Sequence, residues 1–302
     1  MGSKRKLADK ILNFILTENP NTKYIYDLFG GGASISLNAI QQSSIKEVYY
    51  NELNTGVVEL FKDVIENGVT DKYYQWVSRE IFEENKNKGD WFGGFCNVTR
   101  SFGNKGKTYM YGPDKECLKY LVHKLIVELD EKALNDINIK FDCDIKINFH
   151  TYQNMSINKR RLKIVKILKQ ALGRDGEAQH LERVQHLEQV QHLTCFDKLH
   201  ILNLSYENVE ITTPLDETII YIDPPYKNTA TYQMEIDHDE LTKYIKNSPY
   251  KIYVNSYEYD DFECVYEMEH RSILSATANN KIIEKIFTNN KPTLGYNFNK
   301  LF

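Results

Sequence analysis

Four consecutive residues, Asp223, Pro224, Pro225 and Tyr226, carry the most specific chemistry in the chain. A carboxylate and a main-chain carbonyl held side by side are two hydrogen-bond acceptors in a fixed frame. An amino group on a planar ring can donate to both. Those bonds draw its lone pair out of conjugation and aim it at an electrophile. An aromatic two residues on can stack on the ring face, a contact worth roughly 1–3 kcal/mol per base. Taken alone, the four residues fit a strand-ending proline turn with a buried tyrosine equally well.

Positioning that turn requires a strand. Thr218-Ile219-Ile220-Tyr221-Ile222 supplies one, since all five of its residues are β-branched or aromatic. Neither proline can donate to a ladder, and each pushes its predecessor towards extended geometry. The result is a stiff turn at the carboxyl end of a strand, where open α/β sheets place their ligands. A second such place lies near the start. Lys23 to Phe29 reads as a strand, Gly30-Gly31-Gly32-Ala33-Ser34 as a turn, and Ile35 to about Gln41 as a helix. Glycine suits backbone that passes close to a ligand or takes positive φ, and a helix N-terminus favours a negative ligand group. The spacing is not the Gly-x-Gly-x-x-Gly of dinucleotide sites. The next strand, Glu47 to Tyr50, ends in Asn51-Glu52-Leu53-Asn54; an acid at this offset pairs with ribose hydroxyls in nucleotide-type sites.

Further elements complete the frame. Leu7, Ile11, Phe14 and Ile15 mark an amphipathic helix with Ser3 as N-cap. Leu199 to Leu204 and Ile252 to Tyr257 read as strands, and Asp237 with Glu240 as a capping box. Between the two ends, 55–84 and 115–134 read as helices. The stretch 86–113, rich in glycine, aromatics and base, reads as a loop suited to phosphates and splayed bases through Arg100, Asn104, Lys105 and Lys107. Alternation over 142–151 predicts a strand. Lys159, Arg160 and Arg161 open a basic helix, with Leu162, Val165, Leu168 and Leu172 towards a core. In a chain of net charge −4 that helix is the best candidate for phosphate contact. Residues 179–196 repeat with period six; on a helix that spacing sets His180, His186 and His192 ~240° apart in turn, so no metal site is expected. The five cysteines show no Cys-x-x-Cys spacing, which argues against zinc and for reduced thiols in a cytoplasm. No apolar run nears ~20 residues, so no membrane span is expected.

Taken in order, these features resemble the α-class, D12-type (Dam-like) DNA adenine-N6 methyltransferases of phage or bacteria. Asp223-Pro224-Pro225-Tyr226 is similar to their motif IV, Phe29-x-Gly31 to motif I, Asn51-Glu52-x-Asn54 to the acid-bearing strand end, and Lys4 to the Gly-x-Lys of motif X. Ala33 stands where motif I has its last glycine, and Ser205 where the family often has an acid before Tyr206. Arg100-x-Phe-x-Asn104 resembles the segment that reaches towards DNA.

The resemblance implies an α/β fold: a Rossmann-like sheet that binds S-adenosylmethionine (SAM), with an inserted, mainly helical target-recognition domain. The sheet domain would comprise 1–68 and 200–302, the insert 69–199. SAM would be held by Lys4, Asp27, Phe29, Gly30, Gly31, Gly32, Glu52, Ser205, Tyr206 and Asp223. The catalytic set would be Asp223, Pro224, Pro225 and Tyr226, acting on adenine flipped from duplex DNA. DNA would be gripped by Arg100, Asn104, Lys105, Lys107, Lys159, Arg160 and Arg161, by a monomer, alone or paired with a restriction enzyme. Similar tetrapeptides occur in RNA-base and cytosine-N4 methyltransferases, and Ala33 and Ser205 leave a non-catalytic DNA-binding relic open.

Overall fold

A computed structural model describes residues 5–104, 106–225, 236–271 and 281–289. In chain order come α1 (Arg5–Glu18), β1 (Tyr24–Asp27), α2 (Ser34–Ala39) and β2 (Glu47–Asn51). Helices follow: α3 (Thr55–Asn67), α4 (Arg79–Asn85), α5 (Trp91–Arg100), α6 (Pro113–Val127), α7 (Glu131–Phe141), α8 (Ile157–Leu172) and α9 (Gln179–Val190). Then come β3 (Leu199–Leu202), β4 (Thr218–Ile222), α10 (His238–Asn247), β5 (Lys251–Ser256), β6 (Glu263–Arg271) and β7 (Lys281–Thr288). The chain divides into two units, Asn54–His192 and Gly2–Leu53 with Leu193–Phe302. The sequence reading cuts at 68 and 200 instead. It keeps α3 with the sheet, whereas α3 packs along α5 in the helical unit.

The strands of the second unit form one sheet in the order β3-β2-β1-β4-β5-β7-β6. Strands β1 to β5 are parallel, and β7 and β6 add an antiparallel edge. From β1 the chain moves outward through β2 and β3, then returns to lay β4 on the other side of β1. Strand order therefore reverses between β1 and β4, and the loops after these two strands diverge there. Strand β4 is buried throughout, as its apolar run requires. Its side chains alternate: Ile219 and Tyr221 meet Leu7, Ile11 and Ile15 of α1, while Ile220 and Ile222 meet Leu241 and Ile245 of α10. Each such burial is worth roughly 1.5–3 kcal/mol. Asp237 caps α10, accepting from Asp239 N at 2.9 Å and Glu240 N at 3.1 Å.

The helical unit departs from expectation in three places. Residues 91–100 are a helix, not a loop, and Gly94 lies against Gly56 of α3. Residues 142–148 form no strand. The N–H and C=O of Ile145 bond the side chain of Asn138, each at 3.0 Å, in place of a partner strand. The inner face of α8 is Arg161, Ile164 and Leu168, which leaves Leu162 58% exposed. The repeat makes α9 only as far as Val190, with His180 buried and His192 exposed. Among the described residues no three His, Cys, Asp or Glu side chains could hold a metal ion, and no helix is long and apolar enough to cross a membrane.

Inside this unit His180 bonds Tyr111 Oη through Nδ1 at 2.7 Å and His123 through Nε2 at 3.1 Å. Burial, then the charge of Arg100, lowers His123 to about 3 and His180 well below the usual imidazole value. A base whose folded pKa is depressed costs no stability above pH ~6.5, where it is neutral folded or unfolded. As pH falls below that, the unfolded chain takes up the proton and stability is lost. His123 alone should cost about 2 kcal/mol at pH 5, with His180 adding in the same direction. Trp76 and Trp91, the chain's two tryptophans, both lie in this unit. Urea midpoints read by their fluorescence should therefore fall between pH 7.5 and pH 5, and less so in His123→Gln/His180→Gln. Equal midpoints in the parent protein would contradict the burial argument.

Candidate active site

The carboxyl ends of the parallel strands gather those predicted residues of the sheet unit that are described. Gly30 follows β1 because nothing larger fits: an added Cβ would lie 2.3 Å from the ring of Tyr50. Gly31 takes φ +49, the left-handed region. Its carbonyl accepts from Tyr50 Oη at 2.8 Å, and its N–H donates to Glu52 Oε2 at 3.0 Å. At Gly32 an added Cβ would meet nothing within 4 Å, so the backbone there opens onto space. Phe29 and Tyr206 face one another with ring centroids 5.4 Å apart. Tyr206 is buried, and Ser205 before it is half-buried with no capping bond from its hydroxyl.

Ala33 also sits in the left-handed region, at φ 57, leading into α2. A side chain there costs roughly 1–2 kcal/mol, against the ~0.5–1 kcal/mol that glycine loses in chain entropy. Ala33→Gly is therefore expected to be neutral to about 1 kcal/mol stabilising in a urea melt. A clear loss would mean that the methyl is needed for packing.

Asn51 is a residue that sequence reasoning quoted without assigning a role. It is 1% exposed. Its Nδ2 donates to Leu28 O at 3.1 Å and Leu204 O at 3.0 Å, and its Oδ1 accepts from Leu204 N at 3.1 Å. One amide thus ties together the loops that leave β1, β2 and β3. Asn203 adds bonds to the carbonyls of Glu52 and Leu53 at 2.7 and 3.0 Å. These contacts fix Glu52 relative to the glycine turn.

Asp223 follows β4, half-buried, with Pro224 buried and Pro225 half-buried behind it. Asp27 lies beside it at the end of β1, buried and accepting from Ser36 Oγ at 2.7 Å. Burial pushes the Asp27 carboxyl up to about 7, opposed by the Ser36 bonds and reinforced by the charges of Asp223 and Glu52. Asp27, Glu52 and Asp223 are therefore electrostatic neighbours across the point where strand order reverses. Tyr226, Lys4 and Lys105 lie outside the described residues, as does the side chain of Asn104.

The residues expected to grip DNA scatter. Arg100 requires correction: it is 0% exposed, donates to Gln75 O at 3.0 Å, and burial lowers it to about 10. No phosphate reaches a guanidinium so enclosed. Arg161 is buried, bonded to Gln185. Arg160 spends its guanidinium on the carbonyls of Tyr152, Val127 and Gln153 at 3.0–3.1 Å. Lys107 and Lys159 are exposed, as are Lys163 and Lys166 on α8.

A parallel sheet whose ligand-bearing loops part at a strand-order reversal, carrying a glycine turn answered by an acid, is the architecture of the α/β methyltransferases. This chain belongs to one family of them, the D12 class N6 adenine-specific DNA methyltransferases, whose model matches residues 1–291. Membership makes it an enzyme and implies SAM-dependent methylation of adenine in DNA. Of the readings left open above, this carries adenine over cytosine, DNA over RNA, and enzyme over relic. No curated protein matches the chain.

Proposed function

We propose that the protein moves the methyl group of SAM directly to N6 of an adenine flipped out of a specific duplex DNA sequence, the C–S bond breaking to leave S-adenosylhomocysteine and the methylated nitrogen then shedding one proton. The observation that carries this reading is the Gly31–Glu52 bond on one side of the strand-order reversal with Asp223 on the other. The fit to SAM rests on the same features. Gly30 and Gly31 bring bare backbone to the turn, Gly32 opens onto space, and Glu52 offers acceptors at the ribose-pairing offset. When bound, SAM supplies an electrophilic methyl on a sulfonium. Phe29 and Tyr206 offer faces to its adenine, and Lys4 a cation to its carboxylate.

The chain's own work is positioning and charge. Asp223 and the Pro224 carbonyl accept from the target amino group and turn its lone pair outward. Tyr226 stacks on the base. Flipping is required because an exocyclic amine inside the duplex cannot reach either group. The exposed Lys107, Lys159, Lys163 and Lys166 are cations that can meet phosphates; the helical unit around them serves target recognition. Glu52→Ala removes charge-assisted bonds worth roughly 1.5–3 kcal/mol, so SAM affinity by calorimetry should fall about 10- to 100-fold. An unchanged affinity would remove Glu52 from the ribose and with it the assignment of the glycine turn to SAM.

A further inference from the structure

Beside Asp223 lies a buried polar arrangement that the reaction as described does not use. Asn255, on β5, is 0% exposed. Its Nδ2 donates to Asp223 Oδ1 at 3.2 Å and to Glu284 Oε2 at 3.1 Å. Glu284 comes from β7, the strand on the far side of β5, and is 4% exposed. Strands β5 and β7 and the residue just past β4 thus form a single line of contacts. An acid buried in a sheet is costly, and an apolar side chain would serve packing there as well, as Ile286 on the same strand does.

We propose that Asn255 and Glu284 are positioning residues for Asp223: Glu284 sets which end of the Asn255 amide faces the site, and the amide then fixes the Asp223 carboxylate. The inference rests on the reading of Asp223 as acceptor for the target amine. Its logic is the donor inventory. An ionised glutamate only accepts, so it draws the NH2 end of the amide towards itself. That nitrogen has a second hydrogen, which goes to Asp223 Oδ1. Were the amide reversed, its carbonyl would oppose two carboxylates. A neutral donor on Asp223 fixes the plane of the carboxylate and favours its charged form. Among the described residues Asp27 on β1, Tyr221 on β4 and Tyr257 after β5 couple to Asp223. Asn255 is a neutral donor to its carboxylate in this line of contacts.

The test is the pH dependence of kcat on duplex DNA, with SAM and DNA binding measured alongside. Asn255→Asp replaces the donor by a further acid. It should lower kcat at pH 7 about tenfold or more and move the acid limb up by about one pH unit, with SAM affinity within about twofold of the parent. Glu284→Ala should lower kcat, and Glu284→Gln, which keeps an acceptor, should restore it to within about threefold. A merely structural role would lower melting temperature and leave the acid limb in place. Should Asn255→Asp fail to bind SAM, the Glu284 pair decides: equal kcat for Ala and Gln overturns the proposal. So does a folded Asn255→Asp or Asn255→Ala enzyme with parental kcat and limb. If those variants behave as the parent while Asp223→Ala is dead, only the positioning inference falls. If Asp223→Ala still methylates, the reading of Asp223 itself falls.

Discussion

Asp223→Ala is expected to lower methyl transfer by roughly 10²–10³-fold or more while leaving SAM and DNA binding largely intact. The half-buried carboxylate sits past the end of β4, and its removal leaves the Asn255 amide still bonded to Glu284. What is lost is an acceptor that acts most strongly as the amine develops charge, which appears in kcat rather than KM. Asp223→Asn is the sharper variant. It keeps the shape but offers an NH2 group to another NH2 group whenever the amide faces that way, so it should also be severely impaired. Single-turnover assays with saturating SAM isolate this step. Parental single-turnover rates in either variant would contradict the assignment.

The second large effect lies in the other unit. Gly94→Ala should destabilise the helical unit by about 3 kcal/mol or more. A Cβ at Gly94 would lie 1.8 Å from the Gly56 carbonyl oxygen and 2.4 Å from its carbon, and 3.0 Å from Leu60 Cβ. The first two are backbone atoms and cannot rotate aside, so α3 and α5 must part along their length. The helix preference of alanine over glycine returns only ~1 kcal/mol. The urea midpoint of Trp76 and Trp91 fluorescence reads this unit alone. A midpoint at or above the parent's would show that the two helices do not meet there.

These residues also show which features the sequence reveals. Strand β4 and its acid-proline turn were legible because burial on both faces leaves an unbroken β-branched run and because prolines end ladders by their own covalent structure. The glycine turn was legible as a turn. The reason for Gly30, the ring of Tyr50 from the next strand, was not. Gly94 fell within the stretch read as a loop because its partner, Gly56, is 38 positions away and a close helix crossing leaves no local signature. Arg100 was read as a cation for DNA because charge is visible in a sequence and enclosure is not. The register of α8 slipped for a related reason. Isoleucine and leucine at 164 and 168 take the inner face with Arg161, and the aliphatic chain of an arginine packs as an apolar residue would. Strand β6 went unread, since its Glu263–Arg271 run alternates charge with few β-branched residues and gains its order from pairing with β7. Asn51 and Asn255 each bond partners distant in sequence, which only the folded sheet brings within reach.

The most direct measurement is nucleoside mass spectrometry of duplex DNA incubated with the protein and methyl-labelled SAM. The parent protein should yield labelled N6-methyladenine and Asp223→Ala essentially none, though that variant still binds SAM by calorimetry. Label in cytosine, label in adenine that persists without Asp223, or no label from a parent protein that binds both SAM and DNA would each contradict the account.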